Sequence, residues 1–507
     1  MTETIAQKSH SSNLGGIVFK NTFFITLGNL ALKILDFLFN IYVVRRLGDN
    51  RLGRYAVVLA FVGLFQIFAE LGISQYVMRE IAKDRSRTKS LIWNLVVLRL
   101  LLAILALGWI TLLGIAFGFS QEVVLGIFIF TSTFILAAIQ APIQTVLTAY
   151  ERFDYVTAMT VVRQIALVIL GTIFLFSGLG FIWLIVANLI SILPAITLGI
   201  WAVRRLHLID FEIQVTPRAW PALLRAGLPF GIISLTLMIS FSIDTVMLKM
   251  FKTDNVVGWY SVAYSLIFGI NFLTRGFKEA IVPSLSHTFV RDPSKVEWWY
   301  YRTVRVIMML SSPIAVGGML IAYPLIRVLY TEAFLPSALA LQILIWDSPL
   351  LMFSAFCGNI TTVIGEERSA ARIYTINALA NIILNALLIP RFGFVGASVV
   401  TVVTDLIGAL QFYSLLRRKL NMPNITSILC RVSIAAMLMG ISIWAIGFLT
   451  RQLTDIMILI VSFGTGFIVY ISLILALRLL DQTEWALIHK LFDRVGGVLR
   501  PVKDTTG

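Results

Sequence analysis

Charged residues are scarce in this sequence: Asp, Glu, Lys and Arg together make up only 13% of the 507 residues. Soluble domains carry about a quarter charged residues. With 58% hydrophobic residues and a mean hydropathy of +0.90, the chain has the composition of an integral membrane protein. The composition excludes a soluble enzyme.

Cysteine and histidine are also rare. The two cysteines, Cys357 and Cys430, lie in separate apolar runs, and the four histidines lie in loops or at the ends of apolar runs. Neither HExxH nor GxxxxGK[ST] occurs, so a metalloprotease and an ATP-driven pump are both excluded. We therefore expect no catalytic residue, no metal, no cofactor and no nucleotide.

Long apolar runs dominate the rest of the chain, and we interpret fourteen of them as transmembrane helices. They lie at 17–44, 55–78, 91–118, 122–148, 157–177, 180–203, 222–248, 258–285, 303–329, 334–364, 373–390, 394–416, 428–450 and 455–478. Two divisions depend on short breaks, SGLG at 177–180 and PRFG at 390–393. Because Gly and Pro permit a tight turn between helices, both are expected to separate spans.

The excess of positive charge, +15, is a topology signal and not the sign of a nucleic-acid partner. With the N-terminus inside, 28 of the 41 Lys and Arg residues lie on the inner side, 9 on the outer side and 4 within spans. The positive-inside rule then places both termini in the cytoplasm of a multi-pass protein of the cell membrane.

A short motif repeats at the links between spans. The pattern DNxxGxY occurs at 49–55 and again at 254–260, an offset of 205 residues, which also superimposes Glu70 on Arg275. Two six-helix halves of the same direction are typical of transporters that bind substrate between the halves. The expected organisation is a cytoplasmic N-terminus (1–16), an N-lobe of helices 1–6 (17–203), a cytoplasmic inter-lobe loop (204–221), a C-lobe of helices 7–12 (222–416), helices 13–14 (428–478) and a cytoplasmic amphipathic tail (482–507).

Polar side chains occur inside several predicted spans, where an ionisable group is a functional hypothesis by default. They are Asn29, Lys33, Asp36 and Asn40 on one face of the first span, Glu70 on the second, Arg99 on the third, Asp244 on the seventh, and Asn271, Arg275, Lys278 and Glu279 on the eighth. For Lys33, Glu70 and Arg275 we favour function. The alternative is structural: Lys33–Asp36 and Lys278–Glu279 as local ion pairs, and Asn377, Asn381 and Asn385 as interhelical hydrogen bonds.

Five segments in order resemble the Wzx/RfbX-type polysaccharide-biosynthesis flippases of the multidrug/oligosaccharidyl-lipid/polysaccharide exporter superfamily. They are the segment around NTFFITLGNLALKILDFLFNIYVVRRLGDNRLGRYAVV, AYERF at 149–153, AGLPFGI at 226–232, GEERSAA at 365–371 and NALLIPRFGFVGAS at 385–398. The resemblance implies an all-α membrane protein of about 14 transmembrane helices. It further implies a MATE/MurJ-like transporter fold, with two pseudo-symmetric six-helix lobes plus two C-terminal helices.

The resemblance also implies a function: moving an isoprenoid phosphate- or diphosphate-linked oligosaccharide from the cytoplasmic to the outer leaflet by alternating access. It carries the family's cationic cavity residues onto Lys33, Arg99, Arg275 and Lys278, by position in the spans and not by an invariant motif. Asn29, Asn40 and Asn271 are further candidate substrate contacts, because amide side chains suit a glycan rich in hydrogen-bonding groups. Glu70, Asp36 and Asp244 are the coupling-ion candidates, and we favour Glu70 because, unlike Asp36 beside Lys33, it has no basic residue within one helical turn. The expected partners are the lipid-linked glycan, membrane lipids and glycan polymerase or transferase proteins.

Two other functions remain open on the residues alone. A multidrug or small-cation antiporter on the same fold would need a net acidic cavity, whereas the acids and bases here are balanced. A membrane-embedded glycan polymerase or ligase would need catalytic groups in a sizeable outer loop, and the predicted outer loops are short. Transport is therefore favoured over catalysis.

Overall fold

The computed structural model describes residues 2–209, 212–269, 295–420, 425–450, 452–477 and 479. Side chains are described from residue 32 onward within these ranges, except at 233, 237, 240, 295 and 296. The predicted tail at 482–507 lies outside the described residues.

Over the described residues the long elements are all helices. They are α1 (Thr2–Phe65), α2 (Ile67–Glu70), α3 (Ile73–Lys83), α4 (Thr88–Ala116), α5 (Gln121–Ala149), α6 (Phe153–Phe176), α7 (Phe181–Arg205), α8 (Trp220–Phe251), α9 (described over 254–269), α10 (Lys295–Leu329), α11 (Pro336–Leu344), α12 (Asp347–Val363), α13 (Glu367–Leu420), α14 (Thr426–Leu449) and α15 (Asp455–Ala476).

Nine helices in the described part of the chain are long and apolar enough to cross a membrane, or up to eleven if each of two bent pairs is one span. Helices α1 and α13 each join two predicted spans across a kink. The kinks lie at Gly48 (φ 71°, ψ 173°) and Gly393 (φ 58°, ψ −136°), at the predicted links between spans. A positive φ favours glycine, so these two residues let the chain change direction without a loop. The architecture agrees with the prediction of about fourteen spans, and the predicted SGLG break lies between α6 and α7.

The chain forms two compact units. The first contains Met1–Val262, Leu329–Pro336 and Tyr374–Val400, and the second contains Ala263–Val328, Ser337–Ile373 and Thr401–Gly507. In the first unit α5 packs against α4 and α7, α6 packs against α7, and α1 packs against α5, α6 and α8.

Small residues set the helix packing of the second unit. An added Cβ at Gly440 of α14 would be 2.6 Å from a Val316 methyl group. An added Cβ at Gly466 of α15 would be 2.9 Å from an Ile443 methyl group. The Tyr470 hydroxyl donates to the Met309 carbonyl at 2.8 Å. Close backbone approach and a few interhelical hydrogen bonds hold membrane helices together, because lipid is as apolar as their side chains.

The two copies of the repeated motif contact each other within the first unit. The Asn50 side-chain amide donates to the Asn255 side-chain oxygen at 2.9 Å, across the 205-residue offset. An added Cβ at Gly53 would overlap the Asp254 carbonyl, and one at Gly258 would overlap the Asp49 carbonyl. We call this reciprocal arrangement of residues 49–53 and 254–258 the repeat contact.

Arg54 and Lys249 add charge pairing beside the repeat contact. Arg54 Nε lies 3.1 Å from an Asp254 carboxylate oxygen, and the same guanidinium pairs with Glu122. Lys249 Nζ lies 2.5 Å from the other Asp254 oxygen. The Arg54 guanidinium at this link is therefore paired with two carboxylates.

Candidate translocation site

A polar stripe on α1 forms the first part of the candidate site. Lys33, Asp36 and Asn40 are all exposed in the described structure. The Asp36 carboxylate accepts a hydrogen bond from the Gln164 side chain of α6 at 3.0 Å. Asp36 thus pairs with a neutral amide of another helix and not with Lys33, so the local ion-pair interpretation of Lys33–Asp36 is wrong. Asn29 belongs to α1, but its side chain lies outside the described part.

Two neighbours on α6 and one on α7 extend this stripe. The Arg163 guanidinium donates to the Asn188 side-chain oxygen at 3.3 Å, and Arg163, Gln164 and Asn188 are all half-buried. None of these three residues was among the predicted site residues. The same rule that selected Lys33 would have found Arg163, because it is a cation in an apolar run.

Glu70, Arg99 and Ser74 form a second polar group. Arg99 of α4 is buried, with one guanidinium nitrogen 3.2 Å from a Glu70 oxygen and 2.5 Å from the Ser74 hydroxyl. A left-handed break at Leu71 (φ 47°) and Gly72 (φ 70°) separates Glu70 in α2 from Ser74 in α3. Although no cation lies near Glu70 along its own helix, α4 supplies one. Arg275, onto which the 205-residue offset superimposes Glu70, lies outside the described residues.

Asp244 of α8 lies at the centre of a third polar group. Its carboxylate accepts from the Tyr260 hydroxyl of α9 at 2.8 Å and from the Asn385 amide of α13 at 2.6 Å. The Asn385 amide also donates to Asn381 at 2.9 Å. Asp244 is only 2% exposed. Asn385 therefore makes the interhelical hydrogen bond that the structural interpretation of the asparagines expected.

The remaining predicted positions, Asn271, Arg275, Lys278 and Glu279, lie outside the described residues.

The described part of the first unit therefore has three polar groups with different chemistry. The α1–α6–α7 group offers cationic and amide donors together with one exposed carboxylate. In the Glu70–Arg99 group the two charges already neutralise each other, and in the third group the buried Asp244 carboxylate accepts hydrogen bonds from Tyr260 and Asn385. Guanidinium and ammonium donors suit phosphate oxygens, and amides suit sugar hydroxyls, so the first group best fits an anionic, hydroxyl-rich ligand.

Comparison with known families gives one match over more than half of the chain. Residues 18–289 match the model of the family described as polysaccharide biosynthesis protein. The matched region contains the α1 stripe, the Glu70–Arg99 pair and Asp244.

Similar proteins come from archaea. An uncharacterized membrane protein, MJ1068, of Methanocaldococcus jannaschii is 24% identical over 402 residues, which cover 71% of this chain and 77% of that protein. A protein named probable low-salt glycan biosynthesis flippase Agl15, of Haloferax volcanii, is 24% identical over 159 residues, 31% of this chain and 34% of that protein.

Among solved structures, the fold is similar to that of the lipid II flippase MurJ in an inward closed conformation. The TM-score is 0.73 at 16% sequence identity, and the alignment covers 89% of this chain and 98% of that one. At this identity the likeness concerns the fold alone. It confirms the MurJ-like transporter fold that the resemblance implied.

Proposed function

The chain belongs to the polysaccharide biosynthesis protein family of the multidrug/oligosaccharidyl-lipid/polysaccharide exporter superfamily, and we propose that it moves a lipid-linked oligosaccharide across the membrane. One observation carries the proposal. In a chain of this family, a membrane helix carries an exposed polar stripe of Lys33, Asp36 and Asn40. Polar side chains in lipid are energetically unfavourable, and only a water-filled path or a polar ligand offsets that free-energy cost.

The substrate class follows from the chemistry of this stripe and its neighbours. An isoprenoid-linked glycan carries a phosphate or diphosphate between an apolar tail and a sugar chain. Lys33 attracts the phosphate, while Asn40, Gln164 and Asn188 exchange hydrogen bonds with hydroxyl groups. The name of the archaeal relative Agl15, a glycan biosynthesis flippase, supports the same class.

Arg99 has a different part in this proposal. Because Glu70 already neutralises it, Arg99 reaches a phosphate only by exchanging one anion for another. We assign the first contact with substrate to Lys33 and Asn40. For Arg275 and Lys278 the assignment rests on the family resemblance, and for Asn29 and Asn271 it rests on the chemistry of their amide side chains.

The direction of transport and the setting complete the proposal. The 28-to-9 distribution of Lys and Arg supports cytoplasmic termini in a cell membrane. The movement from the inner to the outer leaflet is proposed from the family resemblance. Glycan transferases would supply the substrate inside, and a polymerase or transferase would consume it outside. The protein itself acts as a transporter without covalent chemistry.

Flipping in proteoliposomes tests the function. Purified protein is expected to move a fluorescent lipid-linked oligosaccharide to the side of a vesicle that a membrane-impermeant glycosidase can reach, and Lys33→Ala is expected to slow this at least tenfold. The matched control is Lys419→Ala, a half-exposed lysine paired with Glu366. If the wild type moves cationic drugs and not the glycan, the antiporter alternative replaces this proposal.

Coupling to an ion gradient is the second test. Among Glu70, Asp36 and Asp244, the carboxylate of Asp36 is exposed and its hydrogen-bond donor is the neutral Gln164, so a proton or sodium ion can approach it. We expect an imposed gradient to speed wild-type flipping severalfold and Asp36→Asn to lose that response. Asp455→Asn, at the surface of the second unit, is the control. A wild type that ignores both gradients would remove the coupling role.

A further inference from the structure

Arg163 lies deep in a membrane helix. It is ten residues from the start of α6 at Phe153 and thirteen from its end at Phe176, or about 15 Å and 20 Å at the rise of an α-helix. An arginine side chain is too short to carry its charge over either distance to the membrane surface. Its guanidinium must therefore be accommodated at membrane depth.

Within the part of the chain that the structure describes, no carboxylate neutralises the charge of Arg163. Over the described residues its hydrogen-bond partner is the neutral Asn188 oxygen at 3.3 Å, and no carboxylate lies within 4 Å of its guanidinium. The buried Arg99, by contrast, is 3.2 Å from Glu70. An unpaired charge at this depth is costly, so an arginine kept there without a carboxylate calls for another source of negative charge.

The residue next to Arg163 in α6 contacts the polar stripe of α1. The adjacent residue, Gln164, donates to Asp36, which lies one helical turn from the exposed Lys33. A guanidinium has five N–H donors, of which Asn188 takes one. Lys33 and Arg163 carry two positive charges and Asp36 carries one negative charge, so these three side chains have a net charge of +1. Amide side chains accompany them.

We propose that Arg163 binds the phosphate or diphosphate bridge of the transported lipid inside the membrane, with Asn188 holding one edge of its guanidinium. The planar fork of N–H groups matches two phosphate oxygens at once, which a lysine cannot do. The identity of the ligand as a lipid-linked glycan rests on the proposed function, whereas the need for an anion rests on Arg163 itself. A phospholipid headgroup has the same phosphate chemistry, and the test distinguishes the two sources.

The test measures binding to the purified full-length protein. Farnesyl diphosphate, farnesol, inorganic diphosphate and a short-chain phosphatidic acid are titrated while the thermal unfolding midpoint is followed. Farnesyl diphosphate is expected to raise the midpoint of the wild type and farnesol is not. Arg163→Gln is expected to weaken binding at least tenfold, and Arg163→Lys severalfold. The control is Arg205→Gln, an arginine exposed at the end of α7 and stacked on Trp201, which should bind like the wild type.

The probes separate the two phosphate sources. Stronger binding of farnesyl diphosphate than of phosphatidic acid supports an isoprenoid substrate. A reverse order, with the same loss in Arg163→Gln, would overturn the assignment to the transported lipid in favour of a phospholipid headgroup.

Thermal unfolding without ligand separates binding from a structural role. If Arg163 is held for a ligand, removing its unneutralised charge leaves the midpoint of Arg163→Gln equal to or above that of the wild type. A lower midpoint with unchanged affinity for farnesyl diphosphate overturns the proposal. If Arg163→Gln fails to fold, the Arg163→Lys variant replaces it in the test. An affinity of Arg163→Lys for farnesyl diphosphate equal to that of the wild type would overturn the proposal.

Flipping measurements distinguish a failure of the Arg163 proposal from a failure of the proposed transport function. If the wild type flips the lipid-linked glycan and Arg163→Gln flips it equally fast, the role of Arg163 is wrong and the function stands. If the wild type flips no glycan but binds farnesyl diphosphate in an Arg163-dependent way, the function is wrong and the anion site stands.

Discussion

Gly258→Ala is expected to remove most of the correctly folded protein from the membrane. The new methyl group would overlap the Asp49 carbonyl, and Gly53→Ala would overlap the Asp254 carbonyl in the same way. Both obstacles are backbone atoms of a neighbouring segment, so no side-chain rotation relieves them. Overpacking of this kind costs about 3 kcal/mol, and the Asn50–Asn255 hydrogen bond would be strained with it.

The measurement is the yield of monodisperse protein in detergent, together with its thermal unfolding midpoint. Gly108→Ala in α4 is the matched control, because nothing lies within 4 Å of the added methyl and alanine favours a helix by about 0.5–1 kcal/mol. The double variant is expected to cost less than the sum of the two, since one separation of the segments relieves both overlaps. Wild-type yield and midpoint in both single variants would show that the repeat contact does not form.

Part of the repeat contact could be predicted from the sequence. The 205-residue offset and the positions of the span links were readable from the sequence, because apolar length and turn residues are local signals. The kinks at Gly48 and Gly393 agree with two of those predicted links. That Gly53 and Gly258 pack against each other's motif was not readable, since contact between distant segments depends on how the helices pack.

The candidate site was predicted less completely than the fold. Helical spacing alone placed Lys33, Asp36 and Asn40 on one stripe, and their exposure agrees with it. The alternative interpretation paired Asp36 with Lys33, whereas in the structure Asp36 accepts a hydrogen bond from Gln164. Spacing along one helix does not reveal partners on another. Arg163 was overlooked because the predicted span began at 157, near it, whereas α6 begins at Phe153.

Arg99→Gln is expected to lower the free energy of unfolding by about 2–3 kcal/mol. Removing one member of a buried ion pair typically costs 3–5 kcal/mol, because the other charge is left without a partner. The expected value is smaller here because the Glu70 side chain is 31% exposed, so water solvates part of the remaining charge. The lost hydrogen bond to Ser74 adds to the effect.

Glu70→Gln combined with Arg99→Gln is expected to recover much of that loss. Two neutral amides of similar shape leave no unpaired charge, and replacing both partners of a buried pair is often close to neutral. A double-mutant cycle from denaturant titrations in mixed micelles should therefore give a coupling energy of about 1–2 kcal/mol. Arg327–Asp455, a more exposed pair with atoms 3.3 Å apart, is the control and should give a value near zero. Equal coupling in the two cycles would mean that water already screens the Glu70–Arg99 pair, and Arg99 would then be free to bind a substrate phosphate without displacing a carboxylate.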